Sequence, residues 1–182
     1  MKTSFLSFLL SIVFASSACA QLEIPFPAII TKKMNNQSFP IPDSVKGKYT
    51  IIGIAYSRKA EKDLASWYEP AFQTFVQKKK TIFADDVYNV NIYFMAVITG
   101  VNKAVSDDAI KSIKAQTQKE LLPYILTYTG EFASYKKTLK ITENDTPYFF
   151  VLDEKGIIVH VTSGAYSLEK MKKIEEMVSE ME

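Results

Sequence analysis

Cysteine is nearly absent, for Cys19 is the only one in 182 residues. One thiol cannot close an intramolecular disulfide, so a disulfide-stapled scaffold is excluded and stability must come from a packed core. Histidine is as scarce. With His160 alone, and no pair of acidic residues at a suggestive spacing, a zinc site of the usual His and Cys ligands is excluded, and neither metal nor cofactor is expected. Arg58 is the single arginine, and 22 Lys+Arg stand against 20 Asp+Glu. Such a balance leaves no electrostatic footprint for nucleic acid or for an anionic membrane surface. Lys78-Lys79-Lys80, the one dense basic run, reads as a helix end whose cations offset the terminal carbonyls. Long apolar runs are missing as well. The run from Phe5 to Phe14 is about half of the roughly 20 residues needed to cross a bilayer, so no membrane span is expected.

What is present begins with a leader. Lys2, the apolar run and the small-x-small site Ala18-Cys19-Ala20 before Gln21 make residues 1–20 a signal peptide of bacterial type, with export to the periplasm or beyond as its consequence. Its removal takes away only Lys2 among the charges and leaves the net charge at +1 instead of +2. Cys19 has three readings: it leaves with the signal, it becomes a lipid-modified N-terminus, or it persists as a thiol. Ser16, where a lipoprotein signal wants a larger apolar residue, favours the first. The remainder divides into a Pro-containing lead over 21–44 and one domain over 45–182, and 47% hydrophobic residues suffice for an independent core.

The domain alternates strands and helices. Tyr49 to Tyr56 is a continuous, β-branched apolar run, as in a strand buried on both faces. Ser57 caps a helix from Lys59 to about Gln77, whose stripe Leu64, Trp67, Ala71, Phe72, Phe75 and Val76 recurs at three and four. Pro70 removes one backbone bond, which predicts a kink near Trp67. Val90 to Ile98 is a second buried strand. Ser106-Asp107-Asp108 opens a helix that runs to about Leu121, where Pro123 stops it. A short strand over Tyr124 to Tyr128 and a brief helix over Glu131 to Leu139 follow, then the polar loop Thr142-Glu143-Asn144-Asp145. Tyr148 to Leu152 and Ile157 to Val161, joined by Asp153-Glu154-Lys155-Gly156, form a hairpin. Ser167 caps a last helix with Leu168, Met171, Ile174 and Val178 on its buried stripe.

This order, with Thr146-Pro147 leading into Tyr148-Phe149-Phe150-Val151-Leu152-Asp153-Glu154-Lys155-Gly156-Ile157-Ile158-Val159, resembles the thioredoxin superfamily. The resemblance implies an α/β, thioredoxin-like three-layer sandwich: a central mixed sheet of about five strands, a C-terminal β-hairpin and a final helix, with a cis proline at Pro147. Lys46-Gly47-Lys48-Tyr49 resembles the entry of redoxins and peroxiredoxins, which place cysteines after the first strand. Here Tyr56-Ser57-Arg58-Lys59-Ala60-Glu61 occupies that place. Disulfide exchange and peroxide reduction both need a thiolate, so neither is expected. Tyr128-Thr129-Gly130-Glu131-Phe132 with Tyr135-Lys136-Lys137-Thr138-Leu139 is similar to the mitochondrial ATP synthase assembly factors, redoxin relatives that act as chaperones. That likeness implies a protein or extended-peptide partner without naming it.

Six residues are binding candidates: Tyr56, Ser57, Arg58, Trp67, Thr146 and Pro147. An extended client strand would add to backbone beside Pro147 and be held by main-chain hydrogen bonds. Each candidate also has a plainer explanation. Ser57 is a helix cap, Arg58 a solvated charge, Trp67 a core residue on its apolar stripe. A non-thiol enzyme using Ser57 or Arg58 is a second reading, weakened because serine needs a base and His160 is the sole histidine. A structural envelope protein is a third.

Overall fold

The computed structural model describes residues 24–77, 88–99 and 103–179. The expected signal peptide over 1–20, with Cys19, and the basic run at 78–80 lie outside the described residues. Among the described residues the sheet has eight strands, in the order β1-β8-β7-β4-β5-β6-β2-β3. They are β1 (Ile24–Pro25), β2 (Ile29–Lys33), β3 (Ser38–Ile41), β4 (Tyr49–Ala55), β5 (Val90–Ile98), β6 (Ile125–Thr129), β7 (Tyr148–Leu152) and β8 (Ile157–Ser163). The helices are α1 (Arg58–Ala65), α2 (Tyr68–Phe72), α3 (Lys103–Gln116), α4 (Ala133–Thr138) and α5 (Leu168–Ser179).

Eight strands replace the expected five because the described part of the lead, residues 24–44, contributes three strands to the sheet rather than preceding it. Its Pro25 pairs with Ile157 at one edge, while β2 and β3 form a hairpin that adds to β6 at the other. Phe26, Ile29, Phe39 and Ile41 bury their side chains there, and that apolar burial draws a Pro-containing segment onto the domain. The middle of the sheet follows expectation. β4 pairs parallel to β5 and β5 parallel to β6, and β7 and β8 form the antiparallel hairpin on the far side of β4.

The two-residue period of β4 divides the core. Ile51 and Ala55 face one cluster, closed by Ala60 and Leu64 of α1, Trp67, Ala71 and Met171, Ile174 and Val178 of α5. Ile52 and Ile54 face a second, closed by Phe132, Leu139, Ile141 and the residues of the lead. Gly53 lies between, and glycine is required there. A Cβ would stand 2.6 Å from Phe149 Cε1 and 2.7 Å from Leu64 Cδ1, so any side chain would push α1 and β7 apart.

Helix boundaries differ from expectation where tertiary contacts decide. The long helix breaks at Ser66–Trp67, as Pro70 predicts, because its nitrogen cannot reach the carbonyl four residues back. It ends in a π-helical turn over Gln73–Gln77. α3 begins at Lys103, so Ser106 is buried inside it instead of capping it. α3 also stops at Gln116, where Thr117 Oγ1 donates back to the Ile113 carbonyl, and Pro123 lies in a separate 3₁₀ turn over Leu122–Tyr124. In α5, Met171, Ile174 and Val178 are buried, but Leu168 is 62% exposed because it is the first residue of the helix, before the turn that meets the sheet. Proline isomerism is a further correction. The cis bond is Ile41–Pro42, and Thr146–Pro147 is trans, its approach to the sheet fixed by Gly164 N–H donating to the Pro147 carbonyl at 2.9 Å.

Candidate functional site

The site forms where β4 ends, at the carboxyl ends of the parallel strands. Ser57 has extended backbone (φ −140°, ψ 163°), and its Oγ accepts the Ala60 N–H at 3.1 Å, the usual arrangement of a helix cap. The same hydroxyl donates to Asp145 Oδ1 at 2.8 Å. A serine so placed has its proton and one lone pair committed. Its second partner, 88 residues away in sequence, belongs to the polar loop before Pro147.

That loop is held from three sides. Lys136 of α4 donates to Asn144 Oδ1 and places its ammonium 4.8 Å over the Tyr56 ring, a cation–π contact. Tyr148 Oη accepts from the Thr142 and Glu143 backbone N–H groups at 3.3 and 3.2 Å, and shares a hydrogen with Thr142 Oγ1 at 3.1 Å. Burial pushes the Tyr148 phenol up, but these donors outweigh it and leave the group below its ordinary value. Beneath the loop, Tyr56, Tyr128 and Tyr135 gather around Phe132 with centroids 5.2 to 5.9 Å apart. Tyr128 Oη donates to the Glu131 carbonyl at 3.0 Å, tying the aromatic group to the chain before α4.

Five of the six candidate residues meet here, and one does not. Tyr56, Ser57 and Thr146 are half-buried, Arg58 is exposed and Pro147 is buried. The Arg58 guanidinium acts on Glu61, whose carboxyl burial raises and Arg58 partly draws back down. Among the described residues the Thr146 N–H and C=O take part in no hydrogen bond. Trp67 is 1% exposed and belongs to the core. Its ring lies 4.2 Å from Phe149, and its Nε1 donates to the Gly164 carbonyl at 3.0 Å.

His160 cannot serve Ser57. It pairs with Val151, which pairs with Ile51, so it lies level with the early part of β4. Ser57 is six residues further along, roughly 20 Å at about 3.3 Å per residue. The sequence reading missed Asp145, Lys136, Asn144 and Tyr148. Their only signal was local: a polar loop of turn formers beside an aromatic-rich segment. Among the described residues no group of three or more His, Cys, Asp or Glu is placed to hold a metal ion, and no helix is long and apolar enough to cross a membrane.

Solved structures with a similar fold share little sequence with the chain. The exposed lipoprotein thioredoxin Etrx1 of Streptococcus pneumoniae strain TIGR4 matches at 14% identity and a TM-score of 0.55, over 82% of this chain and 99% of its own. A thio-disulfide isomerase from Thermus thermophilus matches at 14% and 0.54, over 86% and 95%. Reduced 2-Cys peroxiredoxin of Plasmodium vivax matches at 11% and 0.53, over 87% and 80%. These likenesses establish a thioredoxin-like mixed α/β fold. A search among curated proteins finds no match. The ATP10 protein family model matches residues 20–181, most of the chain, and the chain belongs to that family.

Proposed function

We propose that this protein is an exported, non-thiol assembly module that holds an extended segment of another protein at the Ser57–Pro147 junction. The leader over 1–20 supports export, and the family supports a protein partner. One observation carries the reading. At the position where redoxin relatives need a thiolate stands a serine whose hydroxyl is committed to Ala60 N–H and Asp145, beside a Thr146 backbone that makes no hydrogen bond among the described residues. The chemistry is missing while the strand-pairing surface remains. An added strand would gain main-chain hydrogen bonds from Thr146, with Tyr56 and Arg58 at its flanks.

The test is in vivo photocrosslinking from position 57 of the exported chain. A discrete captured protein is expected, with capture reduced several-fold by Thr146→Arg and by Tyr56→Ala. Capture that ignores both substitutions would place the partner on another surface. The Ser57–Asp145 hydrogen bond is the one feature that favours an enzyme instead. Turnover of esters or phosphoesters by the purified chain, abolished by Ser57→Ala, would establish that reading.

A further inference from the structure

A second recessed surface lies away from this junction. A cavity of about 380 Å³ opens among Lys33, Met34, Asn35, Gln37, Lys114, Lys119, Leu122 and Pro123. That volume is within the roughly 300 to 1,000 Å³ of ligand sites. In the strand order, β2 stands three places from β4. Leu122 and Pro123 precede β6, so the cavity is at the end of the parallel strands opposite to Ser57.

Its walls come from two stiff pieces. One is the four-residue β2–β3 loop, in which Lys33 N–H donates to the Gln37 carbonyl and Asn36 N–H to the Lys33 carbonyl, both at 2.9 Å. Asn36 takes the left-handed conformation (φ 67°) that closes such a loop, and Asn35 Oδ1 accepts the Gln37 N–H at 3.0 Å. The other is the end of α3 and the 3₁₀ turn that follows. Every charged residue in the lining is a lysine. Among the described residues none of the three forms an ion pair, although Lys33 rests its ammonium 4.6 Å over the Phe39 ring. Met34, Leu122 and Pro123 add apolar surface.

We propose that this cavity binds an acidic peptide segment of a protein partner, with an apolar side chain on Met34, Leu122 and Pro123 and flanking carboxylates on Lys114 and Lys119. The occupant follows from charge and shape together. Two exposed cations, Lys114 at the end of α3 and Lys119 in the turn after it, match carboxylates spaced along a chain, the apolar residues match a side chain between them, and the amide groups of Asn35 and Gln37 suit a peptide backbone. The proposal rests on the reading of the chain as a protein-binding module but on none of the residues at its other end.

The probe is a fluorescently labelled short peptide with glutamates on both sides of one leucine, titrated onto the full exported chain and followed by anisotropy and by backbone amide shifts. Shifts centred on Asn35, Gln37 and Leu122 are expected, with binding that weakens as salt rises. Lys114→Glu with Lys119→Glu should weaken binding about tenfold, and the two glutamine substitutions should weaken it less. Both positions are exposed, so circular dichroism should confirm that each variant folds. Unchanged affinity in the glutamate variant, shifts centred on Tyr56 to Arg58, or displacement by inorganic phosphate at matched ionic strength would each overturn the proposal. Crosslinking from position 57 should be unaffected by these lysine variants, so failure here and failure of the Ser57–Pro147 surface are told apart.

Discussion

The two ends of α1 are both tied across the fold, and they are tied by opposite means. At its start, Ser57 reaches Asp145 in an exposed polar loop. Past its end, Ser66 Oγ accepts the Tyr166 N–H at 2.9 Å, Trp67 donates to Gly164, and the Trp67 ring packs between Phe149 and Tyr166. The first tie exchanges with water at little cost, since exposed polar contacts contribute about 1 kcal/mol or less. In the second the Ser66 bond is also exposed, but the Trp67 ring is buried, and removing it opens a cavity. The proposed binding surface, built on the first, would be able to rearrange around a partner while the second keeps α1 seated on the sheet. Anchor and site are thus separated along one eight-residue helix.

Truncating the anchor should give the largest effect. Trp67→Ala removes a fully buried ring from between Phe149 and Tyr166 and should cost about 3 to 5 kcal/mol in urea unfolding followed by circular dichroism. Trp67→Phe retains most of the ring and forfeits the bond to the Gly164 carbonyl, a loss of about 1 kcal/mol. Equal costs for the two would mean that the hydrogen bond, not packing, seats the helix. Trp67 is the only tryptophan, so fluorescence of the unmodified chain reports this end alone.

Ser57→Ala should cost less, about 1 kcal/mol, the usual loss for a helix cap. Asp145→Ala leaves the cap in place and should cost a few tenths at most. A double-mutant cycle then measures the tie itself. Coupling above about 1 kcal/mol would make the junction a rigid element like the Trp67 end and remove the contrast between them.

How far the sequence foretells this structure depends on which forces set each piece. β4, β5 and the β7–β8 hairpin are legible because buried strands need unbroken apolar runs, and Ile51 to Ala55 or Phe149 to Leu152 leave no alternative period. The break at Trp67 is legible from Pro70. The edges are not, because Phe26, Ile29, Phe39 and Ile41 gain much of their burial against residues far along the chain, such as Met95, Leu126, Phe150 and Ile158, with prolines between them that suggest a loop. The start of α3 is lost for a related reason. Ser106 has the chemistry of a cap, but the helix extends past it to Lys103 and buries it. At the site, residues near Ser57 in sequence were readable and its distant partners were not. Lys136, Asn144, Asp145 and Tyr148 are ordinary helix, loop and strand residues until the fold brings them to β4.

The smallest expected effect concerns pH, and it separates the two ties without truncating either. His160 lies on β8, the strand that leads to Gly164 and Tyr166, and faces Lys173 of α5, which also pairs with Glu169 at 3.7 Å. Burial, and then the Lys173 charge, hold the imidazole below its ordinary value of 6.5. The unfolded chain therefore takes up a proton more readily than the folded one. Stability contributed by neutral His160 is complete above about 6.5 and is lost as pH falls toward the lower folded value. His160→Gln should flatten the unfolding free energy between neutral and mildly acidic pH, read as a smaller shift of the urea midpoint. Trp67 fluorescence should follow that shift, because its carbonyl partner Gly164 sits at the end of the same strand. Crosslinking from position 57 should not change over this range, since His160 lies roughly 20 Å from Ser57 along the sheet. Parallel pH dependence of both signals would show that the two ends of α1 respond as one unit.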